Sequence, residues 1–337
     1  MRVTQLDIAR AANASQATVS RVLAGDKRVD ESTRERVLKA VVDFNYRTDA
    51  RARSLRTKTT GLIGLAIQRP HGGLDDDPFF TSLLSGIADY LSGTDHRLCL
   101  ELITDPERQM DVYDEMLRSR RVDGMILVES EAQDRRLHLL QKDKFPFVLI
   151  GNPGGMPVWS VDNDNVYAGQ MATQHMLDQG YRRIHMIAGR PGVTVSDDRV
   201  LGYTRAIEFA NLQPNVWHAD FGFEAAQEAA RRALREDRVD AFVVLDDFMA
   251  LGVLAAARET AITVPTSLGI VSFNDSKLCG LTTPALSSVS LNLERLVRTA
   301  LDRLMSLIGG EQDEAPHREI VPCVLQARAS STCEVLP

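Results

Sequence analysis

The stretch "LDIARAANASQATVSRVLAG", residues 6–25, decides the fold of the first part of this chain. Its first half spaces apolar residues as a helix does, behind Thr4 as the predicted N-cap, and the Asn-Ala-Ser at 13–15 interrupts that helix. Its second half predicts another helix, capped by Ser15, with Val19 and its neighbours on one apolar side. Two short helices joined by a turn of about three residues form a helix-turn-helix unit.

A third helix, predicted within residues 31–46 with Asp30 as its N-cap, closes a small bundle. Its expected apolar face comprises Val37, Leu38, Val41, Val42 and Phe44. In a helix-turn-helix domain the second helix enters the DNA major groove, and its N-terminal residues contact base edges. The pattern alone is also compatible with an ordinary bundle whose second helix faces solvent.

The polar side of the second helix has the chemistry for a contact with DNA. Gln16 can bond adenine through two hydrogen bonds, and Ala17 can pack on a thymine methyl group. Thr18, Ser20 and Arg21 can bond phosphates or bases. We therefore predict that these five side chains face DNA.

The charge distribution favours the same interpretation. Residues 1–60 hold 13 Lys and Arg against 7 Asp and Glu, a net charge of +6, so that a whole-chain charge of −7 leaves −13 on the remainder. A basic head on an acidic body is typical of a protein whose head meets a polyanion. The head ends in a basic linker, Thr48 to Thr59, which we expect to fold on DNA with Leu55 as a minor-groove wedge.

The body, from Leu62 onward, alternates short apolar runs with amphipathic helices, which predicts parallel sheets covered on both faces. The series is too long for one six-stranded sheet, and a break near residues 161–169 indicates two sheets side by side. Ligands of such sheets bind at the carboxyl ends of the strands. We therefore expect a binding cleft between two subdomains.

Several classes of function lack support in the sequence. The chain is 337 residues long, 44% hydrophobic and 25% charged, and its composition predicts neither a membrane span nor a secretory signal. Its four cysteines, expected to be reduced thiols in a cytoplasmic protein, are Cys99, Cys279, Cys323 and Cys333. No phosphate-binding loop, GxSxG elbow or HExxH motif occurs, so we predict no enzyme activity, no catalytic residues, no cofactor and no metal site.

Four motifs in order resemble the DNA-binding domain of the lac/gal repressor (LacI–GalR) family: "TVSRVL" at 18–23, "TRERV" at 33–37, "NY" at 45–46 and "ARSL" at 52–55. Family members usually have Pro where this chain has Thr48. Beyond the five residues named above, the resemblance implies DNA contacts from Thr4, Ser15, Asn45, Tyr46, Ala52, Arg53 and Leu55.

The body resembles the periplasmic-binding-protein-like core of the same family, through segments that include "VDNDNVYAG" at 161–169, "DDRVLGY" at 197–203 and "LDDFMALG" at 245–252. The resemblance covers essentially the whole chain. The effector-binding residues that it implies are Phe79, Asp164, Arg199, Trp217, Asp246 and Asn274. Arg199 would form forked bonds to vicinal hydroxyls or to a carboxylate, because a guanidinium presents its donors in a fixed plane.

Other details of the body refine the expected ligand. Trp217 would stack on a sugar ring or a base, and Asp247 would cap the helix that begins there. Asn274 and Leu291 stand where family members often have Asp and Gln, which removes one anchor for a cationic ligand. We therefore predict a sugar, with a nucleobase or a sugar phosphate as the alternative.

The resemblance implies an α/β protein with a helix-turn-helix domain at 1–47, a hinge at 48–59 and an effector-binding and dimerisation core at 60–337. The core would contain two doubly wound parallel-sheet subdomains, with crossings near 160 and 290. The implied function is a repressor of a carbohydrate-utilisation operon, a homodimer on palindromic operator DNA, in the cytoplasm at the nucleoid. A solute-binding protein, which would lack the basic head, and an α/β sugar enzyme are the competing classes.

Overall fold

The structure of the protein is a computed structural model, and it describes residues 3–23, 25–26, 28–46, 59–68, 78–311 and 315–332. The chain divides into two compact units, Met1–Thr60 and Gly61–Pro337, which we call the head and the core. The predicted hinge contacts Ala52, Arg53 and Leu55 lie outside the described residues. Within the part of the chain that is described, no helix is both long enough and apolar enough to cross a membrane.

The described part of the head contains three helices: α1 (Gln5–Ala11), α2 (Gln16–Leu23) and α3 (Glu31–Asp43). Each begins at a polar side chain that accepts a hydrogen bond from the first turn, as a helix N-terminus requires. Thr4 and Asp7 form a reciprocal capping box on α1. The Ser15 hydroxyl accepts from the Thr18 amide at 3.0 Å, and the Asp30 carboxylate accepts from the Thr33 amide at 2.9 Å.

All three head helices end at a residue with left-handed backbone: Asn13 (φ 48°), Gly25 (φ 72°) and Asn45 (φ 45°). Glycine and asparagine adopt this conformation at low energetic cost. The conformation lets backbone amides just beyond the helix donate to carbonyl groups of the last helical turn. After α1, for example, the Ala14 amide donates to the Ala9 carbonyl at 2.9 Å. The tight turn of the helix-turn-helix unit therefore follows from the asparagine at position 13.

The core of the head is small and confirms only part of the predicted apolar face of α3. Its buried residues are Ile8, Ala9, Ala12, Val19, Val22, Val37 and Ala40. Leu38, Val42 and Phe44 are exposed instead, with 46%, 77% and 45% of their surface accessible. Two short helices cover only a narrow stripe of a 13-residue helix, so the apolar residues that flank the stripe stay outside.

Lobe one of the core has a six-stranded parallel sheet in the order β11-β5-β4-β3-β1-β2. The strands are β1 (Leu62–Gln68), β2 (Arg97–Ile103), β3 (Gly124–Val128), β4 (Phe147–Ile150), β5 (Ser160–Asp162) and β11 (Arg318–Ile320). Helices α4 (Pro78–Ser92) and α11 (Leu293–Ile308) share one apolar cluster with the sheet, and α5 (Gln109–Arg118) and α6 (Arg135–Lys142) share another. The sheet is thus covered on both faces, as a parallel sheet requires.

Lobe two has a second six-stranded sheet in the order β12-β10-β9-β8-β6-β7, with β6 (Ile184–Ala188), β7 (Val216–His218), β8 (Ala241–Val244), β9 (Gly269–Phe273), β10 (Ser287–Ser290) and β12 (Val324–Gln326). Its helices are α7 (Asn165–Asp178), α8 (Thr194–Phe209), α9 (Phe223–Glu236) and α10 (Asp247–Glu259). The two parallel-sheet subdomains confirm the predicted fold class. Only β12 among the described strands pairs antiparallel to its neighbour.

The chain passes between the lobes three times rather than at the two predicted places. It leaves lobe one after β5, returns after β10, and leaves again between β11 and β12. The third connection, Val321–Cys323, enters lobe two from the side where its parallel strands end. A strand that enters from that side must run opposite to the others, which explains why β12 is antiparallel.

Candidate functional site

The predicted DNA-facing side of α2 is open to solvent. Gln16, Ala17 and Arg21 are exposed, while Thr18 and Ser20 are half-buried. The opposite side of α2 is held by the head core, in which Val19 and Val22 are buried. Packing therefore presents the N-terminal turn of α2 outward, which a reading helix needs.

Four further residues predicted to touch DNA also have local structural roles. Thr4 and Ser15 cap α1 and α2. Asn45 is the left-handed residue that ends α3, and the Tyr46 amide then donates to the Val41 carbonyl at 2.9 Å. DNA contact by these residues stays a prediction.

The main candidate site of the core is an open cavity between the two lobes, with about 800 Å³ of space between its walls. Its lining includes Phe79 and Phe80 on α4, and residues that follow the strands, such as Glu129, Gly151 and Asp246. The predicted position of the cleft, at the carboxyl ends of the strands, matches this arrangement. Among the described residues, no group of three or more His, Cys, Asp or Glu side chains could hold a metal ion.

Arg199 on α8 supplies the positive charge of this cavity and is only 3% exposed. Its Nε donates to Asn165 Oδ1 at 3.0 Å, and its Nη1 donates to the Leu245 carbonyl at 2.6 Å. The guanidinium carbon lies 4.4 Å from the centre of the Phe273 ring. Nη2 has no hydrogen bond with a described residue, whereas the other two guanidinium nitrogens are both engaged.

Electrostatics keep this arginine charged. Burial lowers the pKa of Arg199 to about 10, and the nearby Asp246 and Asp162 carboxylates oppose that shift. Burial raises the pKa of Asp162 to about 6, although Arg318 Nη2 donates to its Oδ2 at 2.7 Å and pulls the pKa down. Among the described residues that line it, the cavity therefore has one basic side chain, Arg199, and three acidic ones, Glu129, Asp162 and Asp246.

The structure keeps the predicted place of Asp246 at the cavity but gives the predicted capping role of Asp247 to Asp246 as well. Asp246, which lines the cavity, is also the N-cap of α10 and accepts from the Met249 amide at 2.7 Å. Asp247 does not cap the helix. It is 1% exposed, and its acceptors are satisfied by the Ser272 hydroxyl at 2.5 Å, the Ser288 hydroxyl at 2.7 Å and the Ser276 amide at 2.6 Å.

Phe79, Arg199, Asp246 and Asn274 from the predicted effector set line the cavity together. Asn274 follows β9 with a φ of 99°, a conformation that asparagine tolerates better than most residues. Whether these four residues bind an effector stays a prediction.

The other two predicted effector residues do not line the cavity. Asp164 is exposed and caps α7, accepting from the Tyr167 amide at 2.9 Å. Trp217 lies within β7, where its Nε1 donates to His185 Nδ1 at 3.3 Å and its ring faces the Arg232 guanidinium at 5.5 Å. Trp217 thus lies on the edge strand of its sheet and outside the described lining of the cavity, and its contact with an effector stays a prediction.

The aromatic residue that lines the cavity in place of Trp217 is Phe221, in the loop between β7 and α9. The sequence signal for it is the glycine that follows Phe221, a residue type that marks a turn before a helix. In the structure, Gly222 has a φ of 133° and turns the chain into α9. Asp162, Asn163 and Asn165 were also missed as lining residues. Asp162 is the last residue of β5, and Asn163 and Asn165 follow it, at the strand end where parallel sheets carry their functional side chains.

Hydrogen bonds join the lobes beside the cavity. The Thr194 amide of lobe two donates to the Ser130 carbonyl of lobe one at 3.0 Å, and their hydroxyl oxygens lie 2.7 Å apart. Asn152 Nδ2 donates to Asp198 Oδ2 at 2.8 Å. These contacts link the two walls of the cavity directly.

The head and the core each match a known family. Residues 4–49 match the family model described as bacterial regulatory proteins, lacI family, and residues 173–331 match a periplasmic binding protein-like domain. The transcriptional regulator MalR of Streptococcus pneumoniae serotype 4 is 30% identical over 318 residues, which are 93% of this chain and 95% of that protein. A DNA-reading head joined to a ligand-binding core defines a class of transcriptional regulators. This chain belongs to the LacI family of that class.

Two solved structures agree with this assignment. A transcriptional regulator CelR–cellobiose complex is 27% identical, with a TM-score of 0.75 over 98% of this chain and 100% of that one. The lac repressor dimer bound to operator and the anti-inducer ONPF has the same fold, with a TM-score of 0.86 at 23% identity over 99% of this chain and 100% of that one. The prediction of a DNA-binding transcriptional regulator is therefore confirmed.

Proposed function

We propose that this regulator represses a carbohydrate-utilisation operon, as a homodimer whose affinity for a palindromic operator changes when a neutral sugar enters the interlobe cavity. The proposal places the protein in the cytoplasm, at the nucleoid, and assigns it no enzyme activity. The proposed DNA contacts are those of α2 and of the hinge, where Leu55 would enter the minor groove. The observation that carries the ligand class is the cavity around Arg199.

The charge of the cavity favours a neutral ligand over a phosphate. Its described charged residues are Glu129, Asp162 and Asp246 against Arg199, an excess of carboxylates. An added phosphate dianion would be repelled by these groups in a partly buried site. A sugar would instead give its hydroxyls to Arg199 Nη2 and the Asn274 amide, and its apolar face to Phe79 or Phe221.

The relatives support the same ligand class. The CelR structure that this chain resembles is a complex with cellobiose, a neutral disaccharide. MalR is the name of a relative, and this name does not identify the sugar that this chain binds. We therefore propose the class of ligand and leave its identity to titration.

The direct test is a gel shift with DNA from upstream of the protein's own gene and its neighbours, with and without a panel of neutral mono- and disaccharides that includes cellobiose. We expect a retarded complex and at least one sugar that changes its midpoint, and the direction separates induction from corepression. Calorimetric titration with the same panel measures sugar binding alone. Heat from a nucleobase or a sugar phosphate, with none from any sugar, would contradict the proposed ligand.

Arg199→Lys tests the site itself, because lysine keeps the charge but loses the planar donors. We expect the variant to bind the same DNA and to lose its response to the sugar. Arg205→Lys, at an exposed position on the same helix, is the matched control and should respond as the wild type does. An unchanged response in Arg199→Lys would place the ligand elsewhere.

A further inference from the structure

The three connections between the lobes meet at one side chain. They cross after Asp162, at Leu291 after β10, and at Val321 after β11. Asn163, the first residue after β5, is 1% exposed. Its Nδ2 donates to the Leu291 carbonyl at 3.0 Å and to the Val321 carbonyl at 2.7 Å. The side-chain amide of Asn163 therefore donates one N–H group to each of the other two connections.

Few side chains could replace this amide. Aspartate has the same shape but presents acceptors to two carbonyl oxygens, and leucine fills the space with no donor. The backbone completes the junction, since the Val321 amide donates to the Asp162 carbonyl at 2.8 Å. Arg318 Nη2 also donates to the Asn163 carbonyl at 3.2 Å. The junction is thus fixed by donors that only a neutral amide supplies at position 163.

A continuous set of hydrogen bonds connects this junction with the cavity. Asp162 Oδ1 accepts from the Asn163 amide at 2.8 Å and from Asn165 Nδ2 at 3.0 Å. Asn165 Oδ1 in turn accepts from Arg199 Nε at 3.0 Å. A ligand that pulls on the Arg199 guanidinium therefore acts on the same carboxylate that orients Asn163.

We infer that Asn163 is a positioning residue that makes the three connections move as one unit, so that occupancy of the cavity changes the angle between the lobes. The inference rests on the proposed function for its ligand-dependent part. Its ligand-independent part is that the three connections open together. A side chain that joins all three connections converts a local contact in the cavity into a movement of whole lobes. Coupling between distant sites requires two such arrangements of the lobes.

Hydrogen exchange measured by mass spectrometry on the full chain, without any ligand, tests the mechanical part. In the wild type, the segments 160–165, 289–293 and 319–323 should open with one free energy and one dependence on denaturant. In Asn163→Asp at pH 8.5, protection should fall at all three segments by about tenfold or more. Asn211→Asp, the same change at an exposed position, is the control and should match the wild type.

The pH dependence separates a missing donor from general damage. A protonated carboxyl regains one O–H donor, so Asn163→Asp should recover part of its protection at pH 5.5, whereas Asn163→Leu should not. The charged groups around the position are Asp162, Asp164 and Asp198, which favour protonation of a new carboxyl, and Arg199 and Arg318, which oppose it. Asn163→Ser, with one donor on a shorter side chain, gives the same measurement with less disturbance. Loss of protection confined to 160–165, or absent, would overturn the inference.

The gel shift with the active sugar of the panel tests the ligand-dependent part. Coupling in such regulators is typically about 5- to 150-fold in affinity, and Asn163→Asp should reduce the wild-type ratio to about twofold or less. Because Asn163 also lines the cavity, the sugar affinity of each variant is first measured by calorimetry, and the ratio is then compared at saturating sugar. A wild type without any sugar response would contradict the proposed function, while the exchange result would still decide whether Asn163 joins the connections. A variant that keeps the full ratio would show that the junction does not transmit occupancy.

Discussion

The DNA-facing side of the head and the cavity of the core are built from the chain in opposite ways. In the head, the first two turns of α2 supply the side chains from Gln16 to Arg21, and the Ser15 cap holds the start of the helix in place. In the core, the cavity takes residues from positions as distant as Phe79 and Leu296. The first surface therefore depends on local helix chemistry, and the second depends on how closely separate elements approach one another.

The largest effect that this comparison predicts is for Gly202→Ala in the core. A Cβ at Gly202 would lie 2.0 Å from the Val166 carbonyl oxygen, because α7 and α8 cross with their backbones in contact. We expect a loss of more than about 3 kcal/mol in the free energy of unfolding, and weaker sugar binding, since Arg199 lies on α8. Urea unfolding followed by tryptophan fluorescence measures it, because both tryptophans, Trp159 and Trp217, are in the core.

Gly280→Ala is the matched control, because nothing lies within 4 Å of its added Cβ. A loss below about 1 kcal/mol in Gly202→Ala would mean that the two helices can separate without cost. In that case the position of Arg199 would not depend on their contact.

The stability of the core should depend on pH through Asp162. Asp162 has a pKa of about 6 in the folded core against an ordinary value of 3.8, so the folded state binds its proton more tightly than the unfolded state. The wild type should therefore gain stability relative to Asp162→Asn as the pH falls from about 7 to about 4, by up to about 3 kcal/mol. Urea unfolding of both proteins across this pH range measures the difference. Asp143→Asn, at an exposed position in lobe one, is the control, and a flat difference would contradict the raised pKa.

The same contrast explains what the sequence could predict. Thr4, Ser15 and Asp30 could be predicted as N-caps, because a cap bonds the backbone amide only three positions later in the chain. The structure confirms all three. Parallel strands could also be predicted, because continuous apolar runs need cover on both faces. The exposure of Val42 could not, since the pattern of one helix does not show how far its short partners reach.

In the core, the sequence indicated where a cavity would form but only partly what lines it. Phe79, Arg199, Asp246 and Asn274 line it, whereas the aromatic predicted at Trp217 is replaced by Phe221. Asp246 both lines the cavity and caps α10, whereas Asp247, the predicted cap, accepts hydrogen bonds from serines of β9 and β10. Such differences depend on residues that are distant in sequence, and no local pattern contains them.

In the head, Gln16 should contribute to the recognition of operator DNA. Gln16→Ala should weaken operator binding by about 1–3 kcal/mol, because a glutamine that bonds a base through two hydrogen bonds contributes about that much to discrimination. Gel shifts on operator variants should show the loss at one base pair of each half-site, with calorimetric sugar binding unchanged. Gln174→Ala, at an exposed position of the core, is the control. An equal loss on every DNA sequence would mean that Gln16 contacts the backbone instead.

The smallest predicted effect compares the same capping chemistry in the two regions. Thr4→Ala and Asp246→Ala should each cost about 1 kcal/mol in the stability of their own unit, since each removes an N-cap. Only the core change should also weaken sugar binding, because Asp246 lines the cavity. Asp246→Ser separates the two roles, since serine caps a helix about as well as aspartate but lacks its charge. We expect unfolding to show restored stability and calorimetry to show sugar binding that stays weak. If serine restored both, Asp246 would act on the cavity only through its helix, and the core would be as locally determined at this position as the head.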